Sequence, residues 1–189
     1  PEAHVNLSNL HARQGRAKDA EDELRIALRL DPRSIPALVN LADLCRSTNR
    51  EPEAVRLLEQ AVGIEPNAAE VVHALGLAYI RNGRTADAMS RLQRAYTLRP
   101  ADSRYGYAYA VGLDSQGKTT EAVEVLTAVH RLRPADREVL VALASYEARR
   151  GRRSDAIGWA QKLVALRPED AEARALLAQV QGQRGGGGR

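Results

Sequence analysis

Residues 69–102 read AEVVHALGLAYIRNGRTADAMSRLQRAYTLRPAD, and two of them divide the stretch. Gly83 tolerates positive φ and stops a first helix of about thirteen residues. Pro100 cannot continue a helix, so a second one, begun two or three residues after Gly83, ends before it. Leu75 and Tyr79 on the first helix and Leu92 on the second are large, whereas Gly76 and Ala88 are small. Such a stretch folds as an antiparallel pair in which the small residues let the helices approach and the large ones fill the seam.

The same punctuation recurs every 34 residues to either side. Pro32, Pro66, Pro100, Pro134 and Pro168 share one offset. With proline at roughly 5% of ordinary sequence, that has a chance probability of about 10⁻⁵. Ala20, Ala54, Ala88, Ala122 and Ala156 are alanine every time, and Gly15, Asn49, Gly83, Gly117 and Gly151 are glycine or its usual left-handed substitute. Leu30, Ile64, Leu98, Leu132 and Leu166 are aliphatic; Ser8, Ala42, Gly76, Ala110, Ala144 and Ala178 are small. The expected units are residues 1–34, 35–68, 69–102, 103–136 and 137–170, followed by a capping helix over 171–182. On that helix Leu177 and Val180 face inward, while Glu172, Arg174, Gln179 and Gln181 meet water. The Gly-rich tail 183–189 carries no packing code and is expected to be disordered.

Local chemistry supports these boundaries. Ser34, Asp102, Asp136 and Asp170 precede first helices and are expected to accept their orphan N–H groups. Pro36 and Pro52 fall in first turns, where a missing N–H costs little. Leu7 with Leu24, and Leu41 with Leu58, are the expected seam fillers, and Tyr109 takes a core leucine's offset. A single pair cannot bury its apolar face alone, so neighbours must stack. The fold class is therefore all-α, an α-solenoid of antiparallel helix pairs.

This layout resembles the tetratricopeptide repeat family over roughly residues 1–182. The third unit carries the family pattern best, with Leu75, Gly76, Tyr79, Ala88, Leu92, Ala95 and Pro100. Departures are His4, Leu38, Val72, Gly106 and Leu140 in place of an aromatic, and Val129 and Leu163 in place of alanine. The resemblance implies a right-handed superhelix whose first helices line a concave, peptide-binding groove. Carried over residue by residue, the groove would present Asn6, Asn9, Arg13, Asn40, Asp43, His73, Leu77, Arg81, Arg104, Tyr107, Val111, Val141 and Ser145, with Glu70, Asp114 and Arg149 beside them. Asn6 and Asn40 share an offset in adjacent units and resemble the start of the asparagine ladder in O-linked N-acetylglucosamine transferase superhelices. An amide can bond a peptide N–H and C=O together. The ladder stops after two rungs, because Ala74, Ala108 and Ala142 follow. Tyr107, with Val111, Leu77 and Val141, is an expected apolar anchor, and Gly106 and Gly112 are expected to loosen that helix. The carboxylate clamp of chaperone-tail-binding relatives is not carried: Val5, Asn9, Asn40, Glu70 and Ala74 supply the asparagines and none of the cations.

Composition narrows the function classes. The net charge of +4 is spread among interleaved acids, as in Glu21-Asp22-Glu23-Leu24-Arg25, which describes a mixed solvated surface rather than a nucleic-acid footprint. No run of eighteen apolar residues is present, so no membrane span is expected. His4 and His11 lack further ligands at metal spacing, and Cys45 sits at the buried offset of Tyr79 with no paired histidine. The expectation is a non-catalytic interaction scaffold with no cofactor and no metal, binding a protein or peptide, with no nucleic-acid or membrane partner. Pro1 opens a repeat in phase and reads as the edge of a fragment. That motivates an alternative: the recognition or assembly arm of a longer protein with an enzyme or multihaem cytochrome domain. It also raises self-association through the first repeat. The Arg- and Ala-rich, Lys-poor usage suggests a bacterial gene; compartment and partner identity are not encoded in any motif.

Overall fold

A computed structural model describes residues 1–182; the tail expected to be disordered lies outside the described residues. Eleven helices and no strand make up the described residues: α1 (Glu2–Arg13), α2 (Ala17–Leu30), α3 (Ile35–Ser47), α4 (Glu51–Ile64), α5 (Ala69–Arg81), α6 (Thr85–Leu98), α7 (Ser103–Ser115), α8 (Thr119–Leu132), α9 (Arg137–Arg149), α10 (Arg153–Leu166) and α11 (Ala171–Gly182). They form two compact units that meet in sequence at Leu98 and Arg99.

The turns inside the pairs are made by one device used five times. Gly15, Gly83, Gly117 and Gly151 have φ of 74–77°, and Asn49, the single non-glycine, has φ of 59°. The next residue's N–H then reaches back five residues: Arg16 to His11 (2.9 Å), Arg50 to Cys45 (2.8 Å), Arg84 to Tyr79 (2.8 Å), Lys118 to Leu113 (3.0 Å) and Arg152 to Glu147 (2.9 Å). This closes orphan carbonyls at the end of each first helix, and it needs a left-handed residue at the bend.

The other helix ends follow the acids. Asp102 accepts from the Arg104 N–H at 3.2 Å and Asp136 from that of Val139 at 3.1 Å. Asp170 accepts from both Glu172 (2.9 Å) and Ala173 (3.1 Å). Ser34 corrects the expectation: it stands at the N-cap of α3 but its hydroxyl makes no capping bond. Pro36, two residues on, has no N–H to offer it.

In the first unit the cores lie where the helix pairs meet. Ala20, Ala54 and Ala88 are buried, as are Leu24, Leu58 and Leu92 facing Ser8, Ala42 and Gly76. Approach is tightest in the third pair, where a Cβ on Gly76 would lie 2.9 Å from Leu92 Cδ2 and 3.3 Å from its backbone nitrogen. Leu41 and Leu58 are buried as expected, but Leu7 remains 38% exposed. Leu41 and Leu75 share its offset and are buried on helices, α3 and α5, that pack against α2 and α4.

On α7 of the second unit Tyr105, not Tyr109, is the buried ring: Tyr105 is 1% exposed and Tyr109 half-buried. Tyr105 stands at the offset of Ala37, Val71, Val139 and Ala173, all of them buried. Gly106 and Gly112 leave α7 unbroken from Ser103 to Ser115. Leu140, Leu163 and Ala173 form one core cluster, and Ala144, Ala156, Ala160 and Val180 another, against which Leu177 packs. The capping helix thus covers the last pair with the face expected, leaving Glu172, Arg174, Gln179 and Gln181 exposed.

Candidate peptide-binding clefts

Successive first helices lie beside one another within each unit, α1 with α3 and α7 with α9. Side chains at a few offsets therefore line the clefts between them. The first cleft, about 240 Å³, is bounded by Ser8, Asn9 and Ala12 of α1, Ala20 and Leu24 of α2, and Asn40, Asp43, Leu44 and Ser47 of α3. The second, about 320 Å³, uses the next set: Ala42, Asp43, Arg46, Ala54, Leu58, Ala74, Leu77 and Arg81. Of the residues singled out in the sequence, Asn9, Asn40 and Asp43 line the first cleft and Asp43, Leu77 and Arg81 the second.

Two of the asparagines meet across adjacent first helices. Asn40 Nδ2 donates to Asn9 Oδ1 at 3.0 Å, while Asn6 is exposed outside the cleft. Offset 6 of one first helix faces offset 9 of the one before it, so equal offsets do not meet. In the bridge Asn40 keeps its carbonyl oxygen and Asn9 its amide N–H groups for another partner.

The remaining residues are more scattered. Arg13 is exposed and His73 half-buried; neither lines either cleft. Arg81 Nε donates to Glu51 Oε1 at 2.8 Å. In the second unit Tyr107, Val141 and Ser145 are half-buried and Val111 is 41% exposed. Arg104 pairs with Asp102 at 2.8 Å, and Arg149 with Asp114. The arginines at 81, 104 and 149 are therefore already engaged by carboxylates.

His4 Nδ1 lies 2.6 Å from Glu23 Oε2, and His11 accepts from Arg16. Cys45 is fully buried, and burial first, then the Glu53 carboxylate, pushes its thiol up, away from the thiolate a nucleophile needs. Among the described residues no three His, Cys, Asp or Glu side chains gather as a metal group, and no helix is long and apolar enough to cross a membrane.

A tetratricopeptide repeat family model matches residues 49–111 and 115–180, and a second model of the same description matches residues 5–69. The chain belongs to the tetratricopeptide repeat family. Solved structures of such repeats agree. PilF of Pseudomonas aeruginosa superposes with a TM-score of 0.78 at 23% identity, covering 95% of this chain and 83% of that one. A MamA fragment from Desulfovibrio magneticus RS-1 gives 0.77 at 18%, covering 90% and 97%. YrrB, described as a TPR protein with an unusual peptide-binding site, gives 0.72 at 20%, covering 91% and 89%. At these identities the likeness is one of fold. No curated protein matches the sequence.

A second 34-residue ladder in these tetratricopeptide repeats went unread in the sequence. Arg16, Arg50, Arg84, Lys118 and Arg152 are all basic, and Asp19, Glu53, Asp87, Glu121 and Asp155, three residues on, are all acidic. Three of the pairs close at 3.7, 3.2 and 2.8 Å in chain order. Two arginines also reach the preceding repeat. Arg50 forks onto Glu21 with two 2.8 Å bonds. Arg84 meets Glu59 at 2.9 Å and lies 4.1 Å over the Tyr79 ring, whose hydroxyl donates to Glu59 at 2.7 Å. Arg50's bonds hold the Glu21 carboxyl below the usual carboxylate range. These ties link the second and third repeats each to the one before it.

Proposed function

We propose that this chain is a non-catalytic interaction scaffold that holds an extended peptide, or a helix of a partner, against its first helices. The reading rests above all on the Asn40–Asn9 bridge at the wall of the first cleft. It positions an amide with both a carbonyl and N–H groups still available beside a half-buried, apolar-floored hollow. Peptide backbone has the complementary donors and acceptors at every residue. Within the second unit, taken by itself, Tyr107, Val111, Val141 and Ser145 would offer a further contact, with the tyrosine as anchor.

The test uses dodecapeptides selected from a random display library on the whole chain and measured by fluorescence anisotropy. Removing the amide in Asn40→Ala should weaken binding by about twofold to tenfold, the worth of one net hydrogen bond. Arg56→Ala, on the exposed surface of α4, should leave affinity unchanged. Equal affinities for wild type, Asn40→Ala and Asn9→Ala would remove the cleft from the account.

A further inference from the structure

Resting on that reading, we infer that the first cleft selects a cationic side chain, lysine or arginine, of the bound segment. The chemistry of its lining carries the inference. Its floor is Ala20, Leu24 and Ser8, all buried, and its rim is Asn9, Asn40 and Asp43. Ser8 Oγ–H donates to the Val5 carbonyl at 2.7 Å and Ser47 Oγ–H to that of Leu44 at 2.8 Å. Both hydroxyl hydrogens are spent on backbone, so neither serine offers an occupant a donor; Ser47 is exposed at the rim, while Ser8, 1% exposed, belongs to the floor. Asn40 Oδ1 and the Asp43 carboxylate supply acceptor sites, and no Lys, Arg or His lines the cleft. Apart from the amide N–H groups of Asn9 and Asn40 the rim offers acceptors and one negative charge, which an occupant with donors and positive charge at the rim and methylene groups on the floor matches best. Lysine and arginine have that construction: an apolar stem with a charged, donor-only head.

The neighbouring cleft shows that this is specific to the first. Stepping one repeat along replaces Ala12 by Arg46, Ser47 by Arg81, Asn40 by Ala74 and Asp43 by Leu77. Two guanidinium groups enter where the first cleft has none, Ser8 gives way to Ala42, and the carboxylate there is Asp43 again, at the offset Asn9 holds in the first cleft. Asp43 borders both clefts, but the first adds the Asn40 carbonyl and no cation to its lining whereas the second adds Arg46 and Arg81, so a basic side chain is favoured on the first. Arg46 Nε does approach Asp43 Oδ1, but at 3.6 Å and with both side chains about half exposed or more. That contact leaves the carboxylate open to a second donor.

The test uses the dodecapeptides selected on wild type, resynthesised with every residue replaced in turn by Lys, Arg, Gln, norleucine and Glu, and measured against wild type, Asp43→Asn, Asp43→Lys and Asn40→Ala. The expected result is one position at which Lys or Arg is preferred over Gln, norleucine and Glu. At that position the preference falls about threefold in Asp43→Asn and reverses in Asp43→Lys, as for a partly exposed ion pair. Asp43 is largely exposed, so neither change threatens the fold, which circular dichroism checks. Binding that depends on Asn40 but shows no preference for Lys or Arg overturns the inference and leaves the proposed function standing. Binding that ignores Asn40, or no binding at all, overturns both.

Discussion

Replacing Gly76 by alanine tests how closely α5 and α6 approach. In a helix interior the exchange is worth about 1 kcal/mol in favour of alanine, because glycine has more backbone entropy to lose. Gly63 in α4 and Gly158 in α10 have nothing within 4 Å of a built Cβ, so they should gain roughly that amount, less near the end of α4. Gly76 is different. Its Cβ would meet Leu92 Cδ2 at 2.9 Å, Cγ at 3.0 Å and the backbone nitrogen at 3.3 Å. The leucine tip could rotate, but Leu92 is 2% exposed and has little room, and the nitrogen moves only with its helix. Overpacking of this kind costs about 1–3 kcal/mol. The net expectation is neutral to about 2 kcal/mol destabilising, set against a gain at Gly63. Urea unfolding of the whole chain followed by circular dichroism reads both, and Leu92→Ala should turn the Gly76→Ala effect favourable by removing the obstruction. If Gly76→Ala stabilises as much as Gly63→Ala in the wild-type background, the close packing described here is wrong.

Other perturbations address the turns and the charges. Gly83→Ala places a Cβ at φ 74° and should cost about 1–2 kcal/mol in the same unfolding assay, whereas Asn49→Gly should cost nothing. Glu21 is held below its ordinary value of 4.5 by the Arg50 fork, so the folded chain resists its protonation. Its stabilisation is present above that value and is lost as pH falls through the lower folded value; Arg50→Met should remove this part of the acid limb and cost about 1 kcal/mol at neutral pH. His130 packs edge-on to Trp159 with ring centroids 5.0 Å apart, and its buried Nδ1 has no hydrogen-bond partner among the described residues. Burial, and then the Lys162 charge, depress its pKa below the ordinary 6.5. The unfolded chain takes up that proton first, so stability is full above 6.5 and falls as pH drops below it. An NMR titration of His130 with a midpoint at or above 6.5 would contradict this.

Most of the fold was legible because its signals are local. A residue that tolerates positive φ, a proline that stops a helix and an alanine at a crossing act on their immediate neighbours, so a single repeat states them and the period confirms them. The departures came from contacts between elements. Ser34 looked like a cap until Pro36 withdrew the N–H, and on α7 the buried ring is Tyr105 rather than Tyr109. Glu147, at the buried offset of Cys45 and Tyr79, is kept there by Arg150 at 2.9 Å, an exchange the apolar pattern does not announce. Within the site, the offsets that point at clefts were readable, but which asparagine meets which was not. That depends on the stagger between adjacent first helices, which pairs Asn40 with Asn9. The basic and acidic ladder at Arg50, Arg84 and their counterparts was visible in the period and was missed because charged positions were read as solvated surface.

The account stands or falls on where a bound segment lies. Hydrogen exchange of the chain, measured with and without a selected dodecapeptide at saturation, maps that directly. Slowed exchange in α1 and α3, around Asn9, Asn40 and Asp43, with α2 and α4 unchanged on their outer faces, is the expected pattern. Protection confined to the second helices or to the loops at Pro32 and Pro66 would contradict it.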